Sequence, residues 1–225
     1  MEFYIDPYNV LLWVHVLLFG YWLGSDLGVY YCDSQLTRED LDLAERLRVR
    51  EIRLKLDLVP RFCLIILLAL GLTMATRYGS PITGAWLIPV WVIAVVWIYV
   101  IITIYKGHGS PAALNLNKWD IRWRHLMTTS LCGFSLYCII TGGPISDHWL
   151  QAKIFIFGLI ILNGVWIRIV AARWKGIFEM VAAGGEQRVL GEAAMKVNRR
   201  EHGWANMTIW TLVCIVAFLG KVKPF

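Results

Sequence analysis

Six apolar runs alternate with polar segments along the chain. They cover residues 8–31, 58–76, 84–105, 123–142, 148–170 and 204–221. Each has the length to cross a hydrocarbon core of about 30 Å at about 1.5 Å of helix rise per residue. The pattern predicts an all-α fold: an integral membrane bundle of about six transmembrane helices, forming a single domain over residues 1–225.

The polar segments orient the bundle. Six Lys and Arg follow the first run (Arg38, Arg46, Arg48, Arg50, Arg53, Lys55). Four lie around the start of the fourth (Lys106, Lys118, Arg122, Arg124), and seven around and after the end of the fifth (Arg168, Arg173, Lys175, Arg188, Lys196, Arg199, Arg200). The opposite side holds only Arg77, Lys221 and Lys223. Seventeen against three predicts both termini outside and the three basic segments in the cytoplasm. Arg61 and Lys153 are left inside spans.

Two of the basic segments carry further pattern. In TREDLDLAERLRVREIRLKLD, Thr37 and Asp40 resemble a capping box, and Leu41, Ala44, Leu47 and Leu54 fall near one helical face. This predicts a solvated amphipathic helix on the cytoplasmic surface. Between the last two spans, Gly184–Gly185 predicts a break between two short helices.

Composition agrees with a membrane protein. Hydrophobic residues make up 58% and charged residues 17%, against about 45–50% and about 25% in soluble domains. The net charge of +6 sits beside apolar spans, so it implies a lipid bilayer as partner and no nucleic acid. The opening MEFYIDPYNV is acidic, so no cleavable signal peptide is expected. The five cysteines are scattered, without CxxC or CxxCH spacing, and read as small apolar filler.

The polar residues inside the spans are the candidate chemistry. In NVLLWVHVLLFGYWLGSDLGVYY, His15 and Asp26 are eleven residues apart, about three turns, and share a face with Trp22 between them. Gly20, Gly24 and Gly28 form a small-residue stripe on the other side, expected to pack against a neighbouring helix. His15 is either hydrogen-bonded to another helix or a ligand for haem or a metal. Asp26 either pairs with the basic segments or belongs to the same polar face. Lys153 lies about a turn inside the fifth span. At the centre of a membrane a lysine costs about 2.5–3.5 kcal/mol, so Lys153 either snorkels or answers a need for a cation. Both His15 and Lys153 are expected in the outer half, where they could face one cavity. Arg61, just after Pro60, either snorkels or holds a carboxylate such as a haem propionate. His125 and His202 open the fourth and sixth spans at the inner side, at the wrong depth to share one iron with His15. His108 and His148 read as surface residues.

Three segments in order carry a resemblance: WVHVLLFGYWLG, HWLQAKIFIFGLIILNGVWIR with a WLxxK pattern, and WANMTIWTLVCIVAFLGKVKPF. PRFCLIILLALGLTMA adds a fourth. Together they resemble the small bacterial membrane protoporphyrinogen IX oxidases (HemJ type), relatives of copper-resistance-D-like membrane proteins. The resemblance implies haem b, with His15 as iron ligand and Lys153 as its functional partner. It also matches Asn206 to the family's last-span asparagine, giving Lys153 and Asn206 as catalytic residues. His15, Lys153, Arg61 and Trp22 are then the cofactor-binding set. The chain departs from the family in having two more spans and in lacking a proline after Asn206.

The function expected on that basis is a haem-b membrane oxidoreductase of the bacterial inner (cytoplasmic) membrane. It would take electrons and protons from a porphyrinogen or quinol donor. A copper-resistance-D-like transporter is a second expectation, although no MxxM and no cysteine pair is present. A non-catalytic subunit or assembly factor of a respiratory complex is a third, with a second copy or a membrane-complex partner against the glycine stripe.

Overall fold

A computed structural model describes residues 6–107 and 109–225. His108 and the first five residues lie outside the described residues. Seven α-helices are present among the described residues: α1 (Pro7–Leu36), α2 (Leu43–Leu56), α3 (Leu58–Ala75), α4 (Leu87–Lys106), α5 (Pro111–Thr141), α6 (His148–Ala183) and α7 (Gly185–Val222). The chain is an all-α bundle, and α1, α3, α4, α6 and α7 are long and apolar enough to cross a membrane. It is a multi-pass membrane protein. Its outward surface fits that setting: Ile88, Val92, Val95, Val96 and Tyr99 on α4 are all exposed.

Local chemistry sets the helix ends. Asp6 accepts from the Tyr8 amide at 3.0 Å, and Pro7 opens α1 where no amide donor is needed. Ser110 and Pro111 repeat this arrangement at α5. Gly184 and Gly185 both have positive φ, 76° and 55°, which reverses the chain between α6 and α7 at no Cβ penalty.

Six helices form a closed ring. Each of α1, α3, α4, α5, α6 and α7 packs beside the next, and α7 returns to α1. The apolar core fills the middle, with Trp22, Leu64, Ile65, Trp97, Ile160, Ile161 and Val213 buried. The run read at 123–142 lies in α5, which has the length of a span but not the same apolarity. Thr128, Thr129, Ser130 and Ser135 interrupt it. Thr128 and Ser135 face α6, whereas Thr129 and Ser130 are exposed. Thr128 Oγ1, Cys132 Sγ and Ser135 Oγ donate to the carbonyls of Gly158 (3.1 Å), Phe155 (3.6 Å) and Gln151 (2.7 Å). In an apolar medium this antiparallel ladder holds two helices that oil-like packing alone would not.

Both chain ends meet at one pole of the ring. Lys223 Nζ donates to Tyr78 Oη at 2.8 Å, and Tyr78 Oη lies 3.2 Å from Tyr8 Oη. The other pole carries a collar. At about 1.5 Å per residue, α6 and α7 are about 54 and 57 Å long, so each overshoots a core of about 30 Å. Their overhang packs against α2 around its own apolar cluster of Leu36, Trp174, Ile177, Phe178, Val181 and Met195. The expected pair of short helices at Gly184–Gly185 is therefore two long ones, because the apolar repeat continues past the membrane edge into the collar.

Two local expectations change. α2 starts at Asp42, whose carboxylate accepts from the Glu45 amide at 2.7 Å, rather than at Thr37, which terminates α1. Its inward side is not the leucine face. Arg46 and Arg53 are buried, while Leu47 and Ile52 are exposed. The ion pairs described below decide this orientation. The glycine stripe also behaves differently. A Cβ on Gly20 or Gly24 would meet nothing within 4 Å, and only Gly28 has a close neighbour, Leu56 Cδ1 at 3.3 Å. The stripe faces outward instead of packing within the chain.

Candidate functional site

The expected site residues fall into two groups at different depths. His15 and Lys153 lie toward the pole where the chain ends meet. Trp22, Arg61 and Asn206 line a cavity toward the collar. Trp22 is seven residues beyond His15, about 10 Å along the helix axis.

At the first site, α1 presents His15 toward α3. A Cβ on Gly71 would lie 4.0 Å from His15 Cε1, so α3 meets the imidazole here at a residue without a side chain. His15 Nδ1 is buried and has no hydrogen-bond partner among the described residues. Burying an imidazole nitrogen without a partner is costly, and such atoms call for an explanation. Lys153 comes from α6 and crosses to α7. A Cβ on Gly220 would lie 2.5 Å from its Nζ, so this glycine makes the room the ammonium occupies. Lys153 does not point to lipid. Its Nζ thus lies three residues before Lys223, at the end of α7. It has no carboxylate partner among the described residues.

At the second site, Trp22 Nε1 donates to Asp26 Oδ2 at 2.9 Å, and both are buried. Asp26 thus faces the cavity and does not pair with the basic segments. Arg61 is ion-paired with Asp57, four residues earlier. His202 occupies both ring nitrogens. Its Nδ1 is 2.5 Å from Asp33 Oδ2 and its Nε2 is 3.1 Å from Arg53 Nη2. A guanidinium can only donate, so Nε2 accepts and Nδ1 carries the proton toward Asp33. With both nitrogens committed, His202 is a structural residue of the α1–α2–α7 junction. Asn206, one turn on, sits 3.4 Å from His202 Nδ1. His125 is exposed on α5, and His148 is exposed at the start of α6.

The structure adds residues that the sequence pattern does not single out. Asp33 binds both Arg53 and His202. Asp120 binds Arg124 and Arg168, with Trp97 Nε1 donating to its other oxygen at 2.6 Å. Arg46 Nε donates to the Leu36 carbonyl at 2.8 Å, and its two Nη atoms reach Glu192 at 2.6 and 2.8 Å. The carboxylates were the available signal. Asp33 stands twenty residues before Arg53, and Asp120 stands four residues before Arg124 and 48 before Arg168.

Among the described residues, no group of three or more His, Cys, Asp or Glu could hold a metal ion. The chain matches no protein-family model, no curated protein and no solved structure.

Proposed function

We propose that this chain is a haem-b-binding oxidoreductase of the bacterial cytoplasmic membrane, with His15 as the axial ligand and Lys153 beside it. The observation that carries the reading is the buried, partnerless His15 Nδ1, with Lys153 turned inward to Gly220 toward the same pole. The donor set supports haem over a protein-caged metal. Zinc and copper sites draw three or four protein ligands, whereas haem supplies four nitrogens itself and asks the protein for one or two. Bound haem would supply one-electron transfer.

The chain's own residues then have distinct tasks. His15 presents one neutral ring nitrogen from a helix held on both sides by α3 and α7. Gly71 keeps the facing wall of α3 free of side-chain atoms. Lys153 places a cation next to the histidine, where it binds a carboxylate of the donor or relays a proton from it. The apolar core beneath, from Leu64 to Val213, excludes water from this end. A porphyrinogen or quinol donor fits these tasks, because its oxidation releases protons together with electrons. Trp22, Arg61 and Asn206 belong to the deeper cavity and not to the ligand shell of His15.

The test is oxidation of protoporphyrinogen by the haem-loaded protein, followed by porphyrin fluorescence. Lys153→Met is expected to keep its haem and lose about a hundredfold or more of the rate. Full activity in that variant would remove Lys153 from the mechanism. The reading as a respiratory-complex subunit is favoured by one observation, the outward groove over Gly20 and Gly24 lined by Val16, Leu17, Tyr21, Ser25 and Val59. A stable partner in a detergent pull-down, with no haem in the complex, would select it.

A further inference from the structure

The four helices that meet at His15 and Lys153 each carry one more side chain further out, at the pole of the chain ends. On α1, Tyr8 stands seven residues before His15, and past the end of α3 Tyr78 stands seven after Gly71. On α6, Trp149 stands four residues before Lys153, and at the end of α7 Lys223 stands three after Gly220. These four side chains therefore form a layer about one to two helical turns outside the site.

Polar contacts hold the layer together. Lys223 Nζ donates to Tyr78 Oη at 2.8 Å, and the Tyr78 and Tyr8 hydroxyls are 3.2 Å apart. The same ammonium lies 4.8 and 5.0 Å from the ring centroids of Tyr78 and Trp149, which meet edge to face at 5.1 Å. Lys223 has a φ of 50°, a left-handed helix cap where glycine is the usual residue. It keeps that conformation with its ammonium fixed by three contacts.

The donor rules give this chain a direction. An ammonium only donates, so Tyr78 Oη accepts from Lys223 and turns its own proton toward Tyr8 Oη. Each hydroxyl can then take one proton and give one. The charged groups around Tyr78 are Lys223, Arg77 on its own turn, Lys153 one layer beneath and Asp6 before α1. Asp6 is engaged by Arg77 at 3.7 Å, and Arg77 also lies over the Tyr8 ring at 4.5 Å. The hydrogen bonds with Lys223 and Tyr8 hold the Tyr78 phenol below the usual tyrosine range. Ammonium and phenol groups are similar in intrinsic acidity, so a proton moves between them without a large uphill step.

We propose that Lys223, Tyr78 and Tyr8 form the proton exit of the His15–Lys153 site, with Tyr78 taking the proton from Lys223. This rests on the oxidoreductase reading, whose donor gives up protons with its electrons. Lys223 passes a proton to Tyr78 Oη, Tyr78 passes its own to Tyr8 Oη, and Tyr8 releases one to water. The neutral Lys223 amine regains its proton from the Lys153 ammonium, and Lys153 regains its own from the donor. One proton crosses the layer and no residue ends with a changed charge.

The test uses the full haem-loaded chain in detergent. Tyr78→Phe keeps the ring against Trp149 and removes the hydroxyl. It is expected to keep the Soret band and KM and to lower kcat for protoporphyrinogen oxidation about tenfold, with a larger solvent deuterium isotope effect than the wild type. Tyr8→Phe is expected to give the same pattern, and it decides the matter if Tyr78→Phe does not fold. Full kcat in these variants overturns the proposal. A loss of rate with an unchanged isotope effect also overturns it, because that marks a structural role. A second readout needs neither haem nor turnover. In an alkaline titration followed by tyrosinate absorbance, one of the nine tyrosines is expected to ionise at lower pH than the rest. That early step is expected to vanish in Tyr78→Phe and to move to higher pH in Lys223→Met. A wild type without the early step, or an early step that survives in Tyr78→Phe, overturns the proposal. An early Tyr78 step in a protein that never shows a Soret band overturns the oxidoreductase reading and leaves Tyr78 as the proton acceptor of this pole.

Discussion

At the scale of single residues, small side chains make the room that polar ones use. Gly158 is the tightest case. A Cβ there would lie 2.6 Å from Cys132 Sγ and 3.3 Å from the Thr128 carbonyl. Gly158→Ala is therefore expected to destabilise by about 1–3 kcal/mol through overpacking of α5 on α6. Adding Cys132→Ala should recover part of that loss, as a non-additive pair in thermal unfolding. Equal losses in the single and double variants would show that the contact is not what limits packing. Lys153 was legible in the sequence because one charge in an apolar run has few explanations. Its direction was not legible: Gly220, which receives its ammonium, is 67 residues away in sequence, and no local pattern links them. Arg124 and Arg168 were hidden for the opposite reason. Both sit where the positive-inside pattern already accounts for an arginine, so nothing marked them as interior.

At the scale of elements, α2 is held by arginines and not by its leucines. Arg53 reaches Asp33, which is 3% exposed, and its loss strands a buried carboxylate beside His202. Arg46 reaches Glu192, which is 12% exposed and able to regain water. Arg53→Ala is therefore expected to cost about 3–5 kcal/mol. Arg46→Ala should cost less, about 1.5–3 kcal/mol, the range for hydrogen bonds to charged groups. Thermal unfolding of the two variants checks the order, and a larger loss in Arg46→Ala would contradict the account of how α2 docks. The existence of this helix was legible from its charge and apolar pattern, although its cap is Asp42 and not Thr37. Its buried face was not, because alternating acids and bases look the same whether they pair with one another, with water or with a distant helix. The partners Asp33 and Glu192 come from α1 and α7, and only the closed ring brings them together.

At the scale of the whole molecule, the ring puts both chain ends at one pole and the collar at the other. A cysteine placed at Thr83, on the pole of the chain ends, is expected to react with a membrane-impermeant thiol reagent on intact cells. A cysteine at Glu186, in the collar, should react only after permeabilisation. The reverse labelling would invert the orientation drawn from the seventeen-to-three distribution of basic residues. The bundle class and its helical runs were readable from hydropathy. The separation of the polar residues into two depths was not, since it depends on which faces meet when α7 closes on α1. The central claim concerns the first of those depths, and the most direct measurement is the oxidised and reduced absorbance spectrum of protein purified from cells supplied with ample haem. The account predicts a Soret band in the wild type, its loss in His15→Ala and its retention in His125→Ala. A wild-type protein without a Soret band, or a His15→Ala variant that keeps it, would contradict the account.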